Sequence, residues 1–406
     1  MTARITLPGR SEPLEIPPPG WAPGYPPPVS RRVYAAAHVA SVDGGDMIDW
    51  EATLGFRDHL WAHGFAVAEA MDTAQRGMGL SWSLARELIA SSAERAAARR
   101  AAGRFADIAC GAGTDHLAAG ETHSITKIID AYGVQLDYVQ SAGAGVILMA
   151  SRALAAAARG PQDYLDVYGA LLKHASRPVI LHWLGEAFDP ALRGYWGGGD
   201  FESAAATVLE LIEQAGDKVD GVKLSVLDAD KEVALRRKLP AGVRLYTGDD
   251  FGYADLIEGT DFNDGAANHG AANHGDGNHG AASHGAANHD HSDALLGAFA
   301  AVTAPAAAAL HCLDAGDRAG YRAAIGPTVP LSRLIFAEPT YYYKAGVAFL
   351  AWLNGLQPRF LMLEGLERRR PPSHLINVFE LAAAAGALTD PDLAVNRMTA
   401  FLKEHG

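Results

Sequence analysis

Short apolar runs alternate with longer amphipathic stretches along most of the chain, beginning near residue 33. The longer stretches repeat their apolar residues at helical spacing, and the short runs are rich in branched residues. This alternation is typical of repeated strand–helix units that build a parallel sheet. The pattern predicts eight strands, the number that closes a barrel: Val33–His38, Phe65–Glu69, Phe105–Cys110, Gly145–Ala150, Pro178–His182, Val219–Ser225, Val243–Thr247 and Ala294–Gly297.

Residues that favour helix starts stand between these predicted strands. Small polar side chains bond the first unpaired amides of a helix, and proline spares one of them. The predicted starts are Asp49 before Trp50–His63, Ser81 or Ser83 before a run to Arg100, Thr122 or Ser124 before Ile125–Ala142, Pro161 before Tyr164–Ala175, and Asp200 before Phe201–Ala215.

The two ends of the chain differ from this repeating middle. Residues 1–32 are rich in proline and lack periodicity, so we expect an extended arm or a cover over the barrel bottom. After the eighth strand the pattern is helical over about 304–315, 317–335, 339–354, 374–386 and 390–404. We therefore predict an α/β protein, a TIM (β/α)8 barrel over residues 33–303 with a C-terminal helical extension over 304–406.

A His-rich repeat interrupts the regular pattern at residues 264–291. It repeats a five-residue unit of the type Gly-Ala-Ala-Asn-His, with histidines at His269, His274, His279, His284 and His289, followed by His291. Such small, polar composition cannot bury much area, so it favours a mobile loop over a metal site. Its position before the eighth strand predicts that it lies at the N-terminal, non-catalytic end of the barrel.

Composition narrows the class of protein. The 406 residues carry 34 Lys and Arg against 47 Asp and Glu, and this net charge of −13 argues against a nucleic-acid partner. Cys110 and Cys312 lie in apolar or helical contexts, which fits a reducing compartment. Neither a signal-peptide pattern nor a sustained apolar span is evident, so we expect a cytoplasmic protein that does not associate with membranes.

The predicted strand Val219–Ser225 carries the most informative side chain. Strand alternation places Gly221, Lys223 and Ser225 on one face, opposite branched apolar residues. A lysine buried among small residues loses the solvation that stabilises its charge, and its uncharged amine becomes a nucleophile toward a carbonyl. The alternative is a lysine at a strand end whose amine reaches water.

In such a barrel the reacting groups come from the C-terminal ends of the strands and the loops that follow. Individually, a histidine there can simply bond a carbonyl and an aspartate can cap a helix, but their convergence on one rim favours a site. The polar residues at these places are His38, Glu69, the segment 72–76, Thr114, Asp115, His116, Ser151, Arg152, His182, Lys223, Ser225, Thr247, Asp249 and Asp250.

Four motifs stand in a fixed order along the chain: Pro178-Val-Ile-Leu-His-Trp-Leu-Gly185, Asp220-Gly-Val-Lys-Leu-Ser225, Tyr246-Thr-Gly-Asp-Asp250, and a C-terminal pattern of Ala315-Gly-Asp317, Pro327 and Lys344-Ala345. This order resembles the class I aldolase superfamily of dihydrodipicolinate synthase and N-acetylneuraminate lyase, and the resemblance covers about residues 33–355. More closely, the whole chain, including the segment Glu69–Gly79, resembles an uncharacterised, dihydrodipicolinate synthase-like branch.

The resemblance implies that Lys223 forms the Schiff base, which agrees with the alternation argument. The family's proton-relaying tyrosine on the fifth strand falls on His182. Its Gly-Thr-Thr-Gly-Glu loop, which holds the substrate carboxylate, is replaced by Asp72-Thr73-Ala74-Gln75-Arg76, where only Thr73 is alike in kind. The predicted substrate-binding residues are Thr73, Gln75, Arg76, Asp115, His116, Ser225, Asp249 and Asp250.

These observations favour a lyase that binds a 2-keto acid or keto-sugar-derived carbonyl compound, without a cofactor or a bound metal. One alternative is a metal-dependent barrel enzyme with ligands drawn from His38, Glu69, Asp72, His116, His182 and Asp249. Another is a barrel that binds a small molecule without catalysis. The resemblance and the apolar, aromatic C-terminal helices also predict a homo-oligomer, a dimer or a tetramer.

Overall fold

The computed structural model describes residues 2–71, 75–118, 120–259 and 290–405. Eight parallel strands pair in chain order and close into a barrel, which confirms the predicted fold. An antiparallel two-stranded hairpin precedes them. The strands are β1 (Ala3–Ile5), β2 (Leu14–Ile16), β3 (Val33–Ala36), β4 (Ala66–Glu69), β5 (Ile108–Ala112), β6 (Gly145–Leu148), β7 (Val179–Leu184), β8 (Val219–Ser225), β9 (Arg244–Thr247) and β10 (Asp293–Leu296).

Side chains of the barrel strands alternate between two separate cores. The branched residues that point outward pack under the helices, whereas the apolar cluster of the barrel interior combines four alanines with six larger side chains. This division follows from the two-residue period of a strand. The interior cluster consists of Tyr34, Ala36, Ala66, Ala68, Met71, Ala109, Ile147, Ile180, Tyr246 and Leu295.

Helices surround the barrel and continue beyond it. They are α1 (Trp50–Ala62), α2 (Trp82–Ala101), α3 (Ile125–Ser141), α4 (Arg152–Ala157), α5 (Pro161–His174), α6 (Phe201–Ala215), α7 (Ala229–Arg236), α8 (Tyr253–Glu258), α9 (Ala298–Ala301), α10 (Thr303–Asp314), α11 (Arg318–Ile325), α12 (Thr328–Ile335), α13 (Lys344–Leu353), α14 (Pro372–Ala384) and α15 (Pro391–His405). No helix among the described residues is both long and apolar enough to cross a bilayer.

Helix starts follow the predicted side-chain caps. Of the paired alternatives, Ser81 caps α2 through Leu84 N at 3.3 Å, and Ser124 caps α3 through Lys127 N at 3.2 Å. The single helix predicted over 317–335 is instead two helices, because Pro327 has no N–H to continue the first.

Strand β5 begins later than the predicted strand Phe105–Cys110. Residues 105–107 precede it, and their carbonyl groups bond side chains: Trp61 Nε1 donates to Asp107 O at 2.9 Å and Arg100 Nη1 donates to Ala106 O at 2.8 Å. The Asp107 carboxylate also accepts from Ile108 N at 2.9 Å. These bonds fix the strand entrance at Ile108.

The N-terminal arm packs on the C-terminal helices. Arg10 pairs with Glu380 of α14 at 3.1 Å, and Trp21 Nε1 donates to Gly386 O at 2.8 Å. β1 and β2 contact α15 and α14, respectively. The hairpin of the arm is therefore held by the helical extension.

The C-terminal helices also cover one side of the barrel mouth. The rings of Phe336 and Tyr343 stack with centroids 4.2 Å apart and lie against Gly297, which directly follows β10. A Cβ on Gly297 would come within 2.7 Å of the Tyr343 ring, so only glycine fits there. Lys344 Nζ donates to Ala36 O at the end of β3 at 2.6 Å. The extension thus shapes the end of the barrel at which the strands terminate.

Most of the His-rich repeat, residues 264–289, lies outside the described residues. The described chain stops at Gly259 and resumes at Asp290, just before β10. These two ends touch, because a Cβ on Gly259 would lie 2.4 Å from Asp290 O. The ends stand at the entrance of β10 and therefore at the N-terminal end of the barrel.

Because these ends meet, replacing residues 260–289 by Gly-Gly-Ser-Gly should leave the barrel and its mouth intact. We expect thermal unfolding within a few degrees of the parent protein and turnover within about tenfold. A larger loss of turnover in a variant that still folds would place the repeat at the catalytic end.

Candidate active site

Lys223 lies inside the barrel on β8, and its side chain is 8% exposed. The strand register sets His182 of β7 beside it on one side and Tyr246 of β9 on the other. The Lys223 amine lies 4.0 Å from the Met71 sulfur. The structure thus places this lysine on the inner face that alternation predicts.

Glycines make the room that this lysine occupies. A Cβ on Gly248 would lie 2.2 Å from Ser225 Oγ and 3.1 Å from Lys223 Cε, so any side chain there would displace both. A Cβ on Gly221 would lie 2.7 Å from the Tyr246 ring. Glycine at these two positions lets β9 approach β8 while Lys223 and Tyr246 share the interior.

His182 is a titratable neighbour of Lys223 within the barrel. Burial, and secondarily the positive charge of Lys223, hold the pKa of the His182 ring well below its usual range. Its Nε2 lies 3.4 Å from Ser225 Oγ, and its buried Nδ1 has no hydrogen-bond partner among the described residues. A neutral imidazole with one unused nitrogen therefore stands beside the amine.

Arg76 organises the loop after β4 rather than projecting into an open site. Its Nε donates to Asp115 Oδ2 at 2.9 Å, and Nη2 donates to the same carboxylate and to Gln135 Oε1 at 2.7 Å. Nη1 donates to Ala70 O at 2.7 Å and Gly111 O at 3.3 Å. All five N–H groups are therefore used inside the protein.

Asp115 and His116 belong to the same cluster as Arg76. Burial opposes ionisation of Asp115, but the adjacent guanidinium and its hydrogen bonds leave the pKa of that carboxyl below its usual value. Gln135 Nε2 donates to Asp115 Oδ1 at 2.9 Å and contacts His116 Nδ1 at 2.8 Å. The cluster ties the loops after β4 and β5 to α3.

The remaining predicted binding residues divide into two groups. Gln75 is buried, and its carbonyl accepts from Met78 N and Leu80 N in a tight turn, whereas Thr73 lies outside the described residues. Asp249 Oδ1 accepts from Phe251 N at 2.8 Å and Gly252 N at 3.0 Å, and Asp250 Oδ1 accepts from Ala298 N at 3.0 Å. These two aspartates hold the loop after β9 and anchor it to α9.

Glu69 faces outward, into the helix layer. Both of its oxygens accept from Arg57 at 2.8 Å, and Ser92 Oγ donates to Oε2 at 2.7 Å. Both partners of this ion pair are fully buried. Glu69 is therefore a structural residue, and its place on the predicted rim was wrong because the alternation of β4 turns it away from the barrel axis.

A cavity of about 430 Å³ opens at the mouth, between the loops that follow β5 and β6. Arg152, Thr114 and Ser151 supply polar lining, and the two hydroxyls bond each other at 2.5 Å. Met149 lines the cavity and meets Met71 at Gly111, where an added Cβ would lie 2.6 Å from the Met149 sulfur and from Met71 Cα. Met71 and Met149, two flexible side chains, thus lie between the Lys223 amine and the cavity.

Arg152 is the cation at this mouth with unused donors. Its Nε pairs with Asp189 at 2.6 Å, the side chain is 51% exposed, and its terminal nitrogens have no hydrogen bond to any described residue. Sequence reasoning placed Arg152 on the rim but did not predict a binding role. The sequence did contain a signal for such a role: Arg152 directly follows Ser151, which caps a helix at the end of a strand.

Lys344 is a second buried lysine, which the sequence motifs include but do not mark as a residue of the site. It is 1% exposed at the start of α13 and reaches across to β3. His38 lies near it and is held neutral, with its pKa lowered to about 3, chiefly by burial. His38 Nε2 donates to Gln357 Oε1 at 2.6 Å, since the Gln357 amide nitrogen is itself used by Arg359 O.

The proposed metal ligands do not come together. Within the part of the chain that the structure describes, no three His, Cys, Asp or Glu side chains are grouped so that they could hold a metal ion. Asp72 lies outside the described residues.

The sequence profile of the DUF993 family, described as a protein of unknown function, matches residues 15–406. That match covers nearly the whole chain. The chain belongs to the DUF993 family. No curated protein sequence matches this DUF993 protein.

Solved structures show what fold the DUF993 protein shares. A 4-hydroxy-tetrahydrodipicolinate synthase from Methylacidiphilum fumariolicum SolV is 16% identical, with a TM-score of 0.59 over 91% of this chain and 99% of that one. Dihydrodipicolinate synthases from Aquifex aeolicus (12% identity, TM-score 0.59, 88% and 99% covered) and Oceanobacillus iheyensis (13%, 0.57, 87% and 95%) are similar. At such identities the likeness shows the fold, and it confirms the resemblance noted from the motifs at that level.

The depressed pKa of His182 predicts a pH dependence of stability. An unfolded histidine binds a proton near pH 6.5, whereas the buried ring resists it, so stability is lost as pH falls below about 6.5. His182→Gln should therefore reduce the dependence of unfolding free energy on pH by up to about 1.4 kcal/mol per pH unit below pH 6. Urea unfolding between pH 8 and pH 5 measures this.

His174→Gln is the matched control, because that ring is 54% exposed and pairs with Asp137 at the surface. Comparing the two variants separates the effect of removing a buried ring from that of removing an exposed one. Equal slopes for His182→Gln and the parent protein would contradict the neutral, buried state of His182.

Proposed function

We propose that this DUF993 protein is a Schiff-base-forming lyase of the class I aldolase type, acting on a 2-keto acid or keto-sugar-derived substrate. The observation that carries the proposal is the placement of Lys223 on the barrel interior beside a neutral imidazole, with Gly248 leaving space for its side chain. Schiff-base chemistry needs such an amine, a proton carrier and a clamp for the substrate's polar groups.

The reaction begins with the uncharged Lys223 amine. Nζ attacks the carbonyl carbon, a C–N bond forms, and the carbonyl oxygen leaves as water after taking up protons. In a C–C cleavage, a base takes the proton of the substrate's β-hydroxyl, the C–C electron pair moves to the iminium, and an aldehyde or ketone leaves; protonation of the resulting enamine gives a new iminium. In a dehydration, a base takes the α-proton to form the enamine, which then expels the protonated β-hydroxyl as water and becomes an unsaturated iminium. Hydrolysis of either iminium by water releases the product and restores the amine.

His182 is the residue we assign to proton transfer. Its pKa is lowered partly by the charge on Lys223, so loss of a proton from the amine removes that contribution and makes the ring a better base. Ser225 Oγ, 3.4 Å from His182 Nε2, lies on the same face of β8 as Lys223 and can pass a proton between them.

Substrate polar groups beyond the carbonyl are assigned to the mouth cavity. The guanidinium of Arg76 is fully committed within the protein, so we assign the carboxylate or other anionic group of the substrate to Arg152, with Thr114 and Ser151 beside it. Met149 lines the same cavity and meets Met71, whose sulfur lies 4.0 Å from the Lys223 amine. Arg76 and Asp115 then act as positioning residues for the two loops.

Borohydride trapping tests the amine directly. Incubation with a panel of 2-keto acids and keto-sugars plus borohydride should give a stable mass adduct, and peptide mapping should place it on Lys223, because reduction converts the iminium to a secondary amine. Lys223→Ala and Lys223→Arg should give no adduct and no turnover, since alanine lacks the nucleophile and a guanidinium stays protonated.

Lys218→Ala provides the matched control. That lysine immediately precedes β8, and its Nζ bonds Ala175 O at 2.9 Å outside the barrel interior. It should trap and turn over like the parent protein. If EDTA abolishes activity while Lys223→Arg retains it, the metal-dependent alternative holds, and trapping without turnover by the parent protein would favour the binding barrel.

His182→Phe separates proton transfer from imine formation. Phenylalanine fills the buried space but carries no proton, so turnover of a substrate found by trapping should fall by about 10²–10⁴-fold. The borohydride adduct on Lys223 should still form. Turnover within about threefold of the parent protein would remove His182 from the mechanism.

A further inference from the structure

A second cavity, also of about 430 Å³, opens at the opposite, N-terminal end of the barrel. We call it the barrel-floor cavity. The beginnings of β3, β5, β6, β7 and β8 and the loops that precede them form its walls. Its polar lining consists mainly of Arg32, Tyr34, Arg100, Asp107, Arg177 and Asp220.

Two of these arginines are fixed by the backbone and retain unused donors. Arg100 Nη1 donates to Ala106 O at 2.8 Å, and Arg177 Nη2 donates to Ala144 O at 2.8 Å. Their other N–H groups have no hydrogen-bond partner among the residues that the structure describes. A guanidinium that is anchored at one nitrogen loses less freedom when the others bind an anion.

The cavity lining carries more positive than negative charge when the ion pair within it is left out of the count. Arg32 pairs with Asp107 at 2.9 Å, and the Asp220 carboxylate accepts from the Tyr246 hydroxyl at 2.5 Å. Arg100 and Arg177 therefore face a single remaining carboxylate. In a chain whose net charge is −13, the cavity presents a local excess of positive charge.

The cavity also has apolar lining, and a tyrosine hydroxyl lies at its inner end. Ile108, Val146 and Ile180 line the cavity beside the arginines. Tyr34 is 4% exposed, and burial is the main cause that raises the pKa of its phenol to about 12, so its hydroxyl stays protonated. Such a site offers charge-assisted donors at its edge and apolar contact within.

We propose that the barrel-floor cavity binds a small organic anion with a carboxylate or phosphate group, held by Arg100 and Arg177. Planar guanidinium groups bind carboxylates and phosphates through paired hydrogen bonds. The site is distinct from the lysine site, because the rings of Tyr34 and Tyr246, 6.0 Å apart, fill the interior between the two cavities.

Calorimetric titration of the full-length protein with malonate and with inorganic phosphate tests this proposal. At least one of the two should bind saturably, with a Kd of about 1 mM or tighter. Arg100→Gln and Arg177→Gln should each weaken binding by about tenfold or more, because each removes a charge-assisted hydrogen bond. Asp220→Asn should tighten binding by about threefold, because it removes the opposing charge.

Three controls assign any binding to this cavity. Arg4→Gln changes an exposed arginine on the N-terminal hairpin and should bind like the parent protein. Arg152→Gln removes the cation assigned to the mouth cavity, and the affinity of the barrel-floor site should be unchanged in it, since Arg152 lies at the other end of the barrel. Thermal unfolding without anion shows that each variant is folded, and a tightened Kd in Asp220→Asn is an outcome that damage to the fold would not produce.

Other results overturn the proposal. The absence of saturable binding of both anions is one, and equal affinity in the Arg100 and Arg177 variants is another. Binding that is lost in Arg152→Gln but kept in Arg177→Gln would move the anion to the mouth cavity and would likewise refute a site at the barrel floor.

Discussion

Closure of eight parallel strands forces each strand to divide its side chains between the barrel interior and the helix layer, and the rest of this structure depends on that division. Alanines of β3, β4 and β5 leave room in the interior for the larger side chains of the other strands. Tyr34 and Tyr246 fill its lower half, and Lys223 and His182 stand above them. The same alternation sends Glu69 outward to Arg57, where both charges are buried and paired.

The fold was predictable because this division leaves a direct trace in the sequence. Branched runs such as Val179–Leu184 and helix caps such as Ser124 act locally, so a pattern along the chain reveals them. Lys223 was predictable for the same reason, since the period of its strand fixes its face. The break at Pro327 was not predicted by the apolar periodicity, because two helices in succession can continue the same apolar pattern.

The rim was harder to predict because its contacts are non-local. Arg76 and Asp115 are each plausible substrate ligands by residue type, yet they bond each other across two loops, and Gln135 of α3 completes the cluster. Lys344 comes from a helix beyond the barrel and enters the mouth beside β3. No local signal marks such pairings, since they depend on which loops and helices meet in three dimensions.

The pairing of charges also explains why the two ends of the barrel suit different tasks. Near Lys223, the residue that we assign to proton transfer, His182, is buried and neutral. Because little water screens the two side chains from each other, a proton that leaves the amine changes the basicity of His182. At the floor, Arg100 and Arg177 lie at a partly exposed edge, where water still solvates their charges. An anion can reach them without crossing the barrel interior. The tyrosine layer keeps these environments apart: Gly221 admits the Tyr246 ring under the lysine, and the Tyr246 hydroxyl ends on Asp220 at the floor. Tyr246 thus contacts β8, the strand that carries the Lys223 amine. It also bonds Asp220, whose negative charge opposes the binding of an anion in the barrel-floor cavity.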